Sequence, residues 1–521
     1  MSEKRAAPNI LLIQADQLAA PALPVYGHRL VQAPNISRLA ERSVVFDAAY
    51  CNSPICASSR FSMLSGRYPT SIDAFDNGAE FYASIPTLPH YLCTLGYNTI
   101  LCGKMHFVGP DQLHGYEERL VTDIYPADFS WTPDWAVGPT SVPSGISVRV
   151  IQESGPCERS LQIDYDDEVE YHAIQKLYDL ARRPEPKPFF LTASFTHPHS
   201  PFTAPREFWD MYRHEDIDMP SVPTMALGEL DAHSKWLYYS HGRDRYKITD
   251  KHIRNARHAY YAMVSYVDAK VGRIMSTLEK TGLADNTIVI FTADHGEMMG
   301  ERGMWFKQCF YEWSVRVPLL FADPRVPGSR REPKPVSLLD LAPTLLDLAS
   351  DHKPPQPVDP FDGHNMAKLL RGKDDAWPET VIAEYTDMGV SAPCRMIRRG
   401  DYKYMYTHGS PPQLFKLSDD PKELSNLAGK PEYAAIEKDL HDKILSGWNP
   451  AEIHKRVLAS QRRRMLIRDA AEKSGRFPNW AYEARKGDDQ RFVRSGGAKT
   501  GVAGTKRLAR FPYVEPPGEK E

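Results

Sequence analysis

Asn9-Ile10-Leu11-Leu12-Ile13-Gln14-Ala15-Asp16 is almost wholly apolar until it ends in a carboxylate. A run this short and this uniformly apolar reads as a strand buried on both faces, in the middle of a parallel sheet. Residues 288–293 (IVIFTA) have the same character and lead into Asp294-His295-Gly296. Residues 189–195 (FFLTASF) form a third such run, ahead of His197-Pro198-His199. Apolar periodicity over residues 251–281 predicts a long helix just before the second of these strands. Strand, helix, strand in this order predicts an α/β fold: a large mixed, mainly parallel sheet sandwiched by helices. Ligands of such sheets gather beyond the carboxyl ends of the strands. All three of the predicted strand ends carry metal-competent or proton-transferring groups.

Further along, residues 338–349 read as a helix and the Pro-rich residues 353–360 as a linker. Residues 380–384, 395–398 and 403–406 resemble short antiparallel strands, and residues 433–446 a helix. They predict a smaller C-terminal α+β subdomain with a small antiparallel sheet. The expected division is a catalytic domain over 1–375, this subdomain over 376–450, and a tail over 451–521. The tail is marked by Gln461-Arg-Arg-Arg464, Phe477-Pro-Asn-Trp480 and a Gly-rich basic end, and such tails dock on a neighbour or stay disordered.

The 521 residues are 42% hydrophobic and 25% charged, with a formal net charge of −3. That balance excludes a global field for nucleic acid, so recognition must come from a local site. No apolar run approaches the ~18 residues needed to span a bilayer. The run at 10–13 is too short for a signal segment, so a cytoplasmic protein with no membrane partner is expected. Seven cysteines, odd in number and sparsely spaced, argue against a disulfide framework.

The chemistry concentrates in a few stretches. Cys51-Asn-Ser-Pro-Ile-Cys56-Ala-Ser-Ser-Arg60 leads into a helix-like run closed by Gly66-Arg67. Alone, Cys56 is a small buried cysteine near a helix start. Asp16, Asp294 and His295, each just past a buried strand, can meet over one sheet edge. Hard oxygen ligands suit Ca²⁺, Mg²⁺ or Mn²⁺, and the one nitrogen shifts the balance toward Mn²⁺. Gly103-Lys104-Met105-His106, Pro198-His199-Ser200-Pro201, Trp305-Phe306-Lys307, Asp76-Asn77-Gly78 and Trp131-Thr-Pro-Asp-Trp135 complete the set. Taken singly, each has an ordinary reading: a solvated lysine, a satisfied histidine, tryptophans in a core.

Together these motifs resemble the type I sulfatase family of the alkaline phosphatase superfamily, from Pro8 to about residue 430. The Asp16-Gln17 pair resembles the branch of choline sulfatases and phosphonate monoester hydrolases, and the tail motifs resemble the C-terminal extension of choline sulfatases. The resemblance implies that a formylglycine-generating enzyme oxidises Cys56 to formylglycine (3-oxoalanine). Its hydrate is a diol: one hydroxyl attacks sulfur, and deprotonating the other expels sulfate. It further implies one divalent cation, Ca²⁺ or Mn²⁺ before Mg²⁺, held by Asp16, Cys56, Asp294 and His295. Arg60 and Lys104 would steady the nucleophile, His106 act as base, His199 serve the leaving oxygen and Lys307 hold the sulfate. Asn77 and Trp131 would contact the substrate, with His197 a rival to His199 in the same loop. Ser58 departs from the family pattern, which has Pro or Ala there.

The implied function is hydrolysis of a small-molecule sulfate monoester, an aryl sulfate or a choline-O-sulfate-like alkyl sulfate, by a homo-oligomer (tetramer or dimer) assembled through the tail. Residues 494–510 contain no acid, whereas choline sulfatases bring an acidic tail residue to the ammonium; this difference favours neutral or anionic leaving groups. Two alternatives stand beside it. One is a phosphonate monoester or phosphodiester hydrolase with the same formylglycine site; the other is a catalytically silent member with Cys56 unmodified.

Overall fold

Asn9–Ala15 is the fifth strand of an eight-stranded sheet in a computed structural model that describes residues 7–138, 146–326, 328–373, 376–488 and 511–512. The strand order begins Arg330–Glu332, Val44–Phe46, Leu319–Ala322, Thr287–Ala293, Asn9–Ala15 and continues Phe189–Ser194, Asn98–Gly103, Glu118–Arg119. Asn9–Ala15 pairs in parallel with both neighbours, Ile10 lying opposite Phe190 on one side and Ile288 on the other. Each of the three expected central strands buries every residue, which is why each reads as an unbroken apolar run. Leu319–Ala322 runs antiparallel to Thr287–Ala293 and to Val44–Phe46, which makes the sheet mixed.

Asn98–Gly103 is a fourth parallel strand that the sequence reading did not assign. It brings a fourth carboxyl end, and with it Lys104, to the edge where Asp16, His197 and Asp294 emerge. Gly103 is required there. Its φ is +109°, and a Cβ would lie 2.0 Å from the Ser194 carbonyl oxygen.

The expected helix spans Asp250–Lys280, its first turn capped by the Thr249 side chain. It packs against Leu161–Ala181, and the buried Lys270 joins the two through Asp167 (2.7 Å) and Glu170 (2.8 Å). A second group, Cys56–Ser65, Leu88–Thr94 and Leu341–Ala349, packs together elsewhere on the sheet. Cys56–Ser65 is buried at all ten positions although five of its residues are Ser or Arg. A helix buried all round must place its polar groups inside the protein, and here Ser59 Oγ and Arg60 Nε donate at the sheet edge, to the Asp294 carbonyl (2.6 Å) and carboxylate (2.8 Å).

The small antiparallel sheet has four strands, Thr380–Tyr385, Cys394–Arg399, Tyr402–Thr407 and Gln413–Lys416. Its side chains alternate with the pleat. Val381, Ala383, Met396, Met405 and Phe415 join the main core, while Ile397, Tyr404 and Leu414 pack with Leu440 and Ile444 of the helix Ala434–Leu445. One face of this sheet is therefore built into the same core as the large one.

The tail begins with a helix, Pro450–Ser474, capped by Asn449 and ended by Gly475 in the left-handed region. The helix packs on its own chain: Arg464 pairs with Asp76, Gln461 accepts from the Trp135 amide, and Arg456 donates to the Thr70 carbonyl. Trp480 packs edge-on against Phe129 at 5.2 Å. The acid-free stretch 494–510 lies outside the described residues. Among the described residues no helix is long and apolar enough to cross a membrane, and all seven cysteines are free.

Candidate active site

Four strand ends and one helix start converge on a buried cluster. Asp16, Cys56, Asp294 and His295 each present one donor atom, all within 4.8 Å of one another. Cys56 Sγ lies 3.2 Å from His295 Nε2 and 3.7 Å from Asp16 Oδ1. His295 Nδ1 is 3.0 Å from the Gly296 carbonyl, a contact that places the proton on Nδ1 and leaves the Nε2 lone pair facing the cluster. Burial holds that imidazole neutral, its pKa down to about 3, with Asp294 opposing the shift.

Positive groups ring the cluster. Arg60 Nε donates to Asp294 Oδ2 at 2.8 Å, and Arg60 Nη1 donates to the Lys104 carbonyl (2.7 Å) and to Ser194 Oγ (2.8 Å). Burial works against ionisation of Asp294, but Arg60 overrides it and keeps that carboxyl well below its usual range. Burial and the neighbouring Asp294 push Asp16 the other way. Lys104 Nζ donates to Asp16 and sits 4.1 Å over the Tyr125 ring. Although burial opposes it, Asp16 holds the Lys104 ammonium protonated. Lys307 Nζ donates to Gln17 Oε1 and lies 2.9 Å from His199 Nε2. Arg60 Nη2 is buried with no protein partner. A guanidinium nitrogen in such a place calls for an acceptor, a requirement that an anion's oxygen meets.

His106 is likewise buried with neither ring nitrogen bonded to protein, in a turn fixed by Asp123, which accepts from the Met105 and His106 amides. Burial, reinforced by Lys104, holds it neutral. Its ring stacks on Tyr125 (centroids 4.6 Å apart), and Trp131 meets the two edge-on at 5.5 Å and 4.7 Å. Asn77 Oδ1 accepts from the Ala57 amide at 3.0 Å, in the first turn of the Cys56 helix.

The sequence-predicted residues thus come together with one exception. His197, expected to touch substrate, is turned to Asp166 (2.7 Å) and packs edge-on to Tyr266, so it ties its loop to the helix Leu161–Ala181. The carboxylate of Asp166 already organises that loop by accepting from the Thr196 and His197 amides, which leaves His199 as the histidine beside Lys307.

Three contributors, Gln17, Glu297 and Tyr125, are given no site role by the sequence. Gln17, with a left-handed φ of 64°, bridges Lys307 to Glu297, whose Oε2 it reaches at 2.5 Å. Burial lifts the Glu297 carboxyl to about 7. Tyr125 holds Lys104, His106 and His199 together, its hydroxyl 3.2 Å from His199 Nε2. Gln17 stood next to a residue singled out for its chemistry; Tyr125 carried no sequence signal.

The donor set fits a divalent cation. Two carboxylates facing each other in a buried place repel unless a cation lies between them, and a neutral imidazole and a thiol-derived ligand complete a mixed O/N coordination. As a free thiol, Cys56 is a poor nucleophile: burial and Asp16 push its pKa up to about 11.

Comparison with known proteins agrees with this geometry. The chain matches the family model described as Sulfatase over residues 8–352. It matches the N-sulphoglucosamine sulphohydrolase C-terminal model over 300–448 and the model of the choline sulfatase enzyme C terminal over 455–511. It is 40% identical over 497 residues to the Choline-sulfatase of Rhizobium meliloti (strain 1021), covering 94% of this chain and 96% of that one. To the Arylsulfatase of Clostridium perfringens it is 29% identical over 454 residues, 82% of this chain and 91% of the relative. The crystal structure of the phosphonate monoester hydrolase of Agrobacterium radiobacter superimposes with a TM-score of 0.67 at 24% identity, covering 84% of this chain and 95% of that one. At that identity the likeness is one of fold.

Proposed function

This chain belongs to the sulfatase family, and from that premise we propose that it hydrolyses choline-O-sulfate or a similarly small cationic alkyl sulfate, releasing alcohol and sulfate. The observation that carries the reading is the ring of Arg60, Lys104, Lys307 and His199 around the Asp16–Cys56–Asp294–His295 cluster, with Arg60 Nη2 left for an anion. The family implies a divalent cation and a formylglycine made from the cysteine. Asp16, Asp294, His295 and residue 56 would hold the ion, which supplies positive charge to the sulfuryl oxygens. We assign Ca²⁺ or Mn²⁺, the imidazole favouring Mn²⁺ over Mg²⁺. Formylglycine supplies an oxygen nucleophile where the thiol is poorly suited.

The chain's own residues do the rest. Lys104 and Arg60 keep the nucleophile's surroundings positive, and Lys307 with Arg60 Nη2 faces the sulfate. Fixed charges of this kind act where charge develops and need no reorganisation, each worth about 3–4 kcal/mol in the transition state. His199, 2.9 Å from Lys307 Nζ, would serve the leaving oxygen. His106, buried and neutral, is able to accept a proton. Asn77, whose carbonyl accepts from the Ala57 amide of the Cys56 helix, would meet the sulfuryl group with its amide.

The substrate assignment is supported by the 40% identity to a choline-sulfatase, by the match to the choline sulfatase C-terminal model, and by Trp131, partly exposed beside His106. Aromatic faces attract quaternary ammonium groups by ~0.5–2 kcal/mol. A second reading, an aryl sulfatase, is favoured by the acid-free residues 494–510. Initial rates decide between them. Choline-O-sulfate is expected to give a higher kcat/KM than 4-nitrophenyl sulfate, and a phenyl phosphonate monoester a lower one than either. A higher value for the aryl sulfate overturns the choline assignment, and a higher value for the phosphonate overturns sulfate ester hydrolysis as the main activity. The exposed Leu466, Ile467 and Phe477 of the tail support a homo-oligomer, a tetramer or dimer. Particle mass by light scattering distinguishes the two, and a monomer contradicts both.

A further inference from the structure

The helix Pro450–Ser474 lies mostly in the segment that matches the choline sulfatase C-terminal model, beyond the end of the sulfatase match, yet it reaches the active site of its own chain. In the run Gln461-Arg-Arg-Arg464, Arg462 and Arg463 are exposed while Arg464 is only 5% exposed. Its guanidinium grips both carboxylate oxygens of the fully buried Asp76, at 2.7 and 2.6 Å, and reaches Thr132 Oγ1 at 3.1 Å. Two-point contacts of this kind fix orientation as well as distance.

Both partners of Arg464 are next to substrate-facing residues. Asp76 precedes Asn77, whose carbonyl caps the Cys56 helix through the Ala57 amide. Thr132 follows Trp131. The turn and the loop touch directly: a Cβ on Gly78 would lie 2.6 Å from Thr132 N and 2.8 Å from the Trp131 carbonyl carbon. One turn back along the helix, Gln461 accepts from the Trp135 amide at 3.0 Å, holding the far end of the same loop. Asp76 has a carboxylate neighbour in Asp387, which accepts from the Asn77 amide; burial and Asp76 together raise the Asp387 carboxyl to about 8. A carboxylate buried as deeply as Asp76 demands a cation beside it, and Arg464 supplies it.

We propose that Arg464 is a positioning residue: from the C-terminal extension, in cis, it sets where Asn77 and Trp131 stand and hence how the sulfate ester lies in the site. The proposal rests on the reading that Asn77 and Trp131 face the substrate.

The test compares full-length Arg464→Ala, Arg464→Lys, Arg456→Ala and Asn77→Ala on choline-O-sulfate and 4-nitrophenyl sulfate, well below each variant's melting temperature. Arg464→Ala is expected to lose at least about tenfold in kcat/KM, as misplacing a site wall by a fraction of an ångström to an ångström does. Millimolar guanidinium ion is expected to restore several-fold of that loss, because it refills the position beside Asp76. Arg456 lies on the same helix and pairs with the more exposed Asp73; Arg456→Ala is expected to keep kcat/KM unchanged. A helix that merely stabilises the fold shows no guanidinium rescue and a similar loss in Arg456→Ala, and that result overturns the proposal, as does an unchanged kcat/KM in Arg464→Ala. Should Arg464→Ala not fold, Arg464→Lys carries the test. It keeps the charge without the two-point grip, and about threefold or greater loss is expected, whereas full activity contradicts the proposal. Full activity in Asn77→Ala removes Asn77 from the site and overturns the reading beneath. An impaired Asn77→Ala beside a fully active Arg464→Ala overturns the role of the helix alone.

Discussion

Cys56→Ala is expected to lower the rate of sulfate release by about 10⁴-fold or more, the scale on which removing a nucleophile acts, because what remains is binding and fixed charge without an attacking atom. The variant should fold. Cys56 opens a helix that is buried along its whole length, and alanine is a better helix former than cysteine there. The thiol's neighbours, His295 Nε2 at 3.2 Å and Asp16 Oδ1 at 3.7 Å, lose one weak polar contact each, so the cost in stability should stay near about 1 kcal/mol. Rates on choline-O-sulfate and 4-nitrophenyl sulfate, with a melting curve of the same sample, check both halves. Retention of more than a few per cent of the activity in a folded variant contradicts the assignment of the nucleophile.

Lys104→Ala is expected to lower kcat by about 10²–10³, the effect of removing one preorganised charge from the transition state. Its ammonium is fully buried, pairs with Asp16 and lies 4.1 Å over the Tyr125 ring, and a water that filled the space would not carry its charge. Removing it also leaves Asp16 facing Asp294 with one cation fewer. Breaking a buried pair costs about 3–5 kcal/mol of stability, so a lower melting temperature should accompany the loss of rate. The two effects separate experimentally. Lys104→Met keeps the chain length and apolar stem but not the charge; it should recover part of the melting temperature and none of the rate. Steady-state kinetics with calorimetry measures both, and a near-normal kcat in either variant removes Lys104 from the chemistry.

Much of this site could be read before the structure because its parts sit at the ends of central parallel strands. A strand such as Asn9–Ala15, buried on both faces, must be apolar throughout, so the first polar residue after it stands out. Asp16, Asp294 and His295 were legible for that reason. Shorter strands were not: Val44–Phe46 and Leu319–Ala322 are three and four residues long and look like any apolar scrap of loop. Asn98–Gly103, as long as Phe189–Ser194, was hidden by its polar start, although it delivers Lys104. The tail helix was opaque for a different reason. Its residues are polar nearly all round, and the side chain that matters, Arg464, is the third of three consecutive arginines, with its partner 388 positions away. His197 and His199 are alike in sequence, and only the carboxylate of Asp166, set on a separate helix, assigns the first to the scaffold and leaves the second beside Lys307.

The mass of the peptide containing residue 56, from enzyme purified in active form after co-expression with a formylglycine-generating enzyme, decides whether Cys56 is the precursor of the nucleophile. An oxidised side chain makes that peptide about 18 Da lighter than its cysteine form, a change in covalent chemistry readable without any assay. The lighter species is expected to be present, and its fraction to rise in proportion to specific activity across preparations. Full activity in a preparation whose residue 56 is entirely cysteine would contradict that role for Cys56.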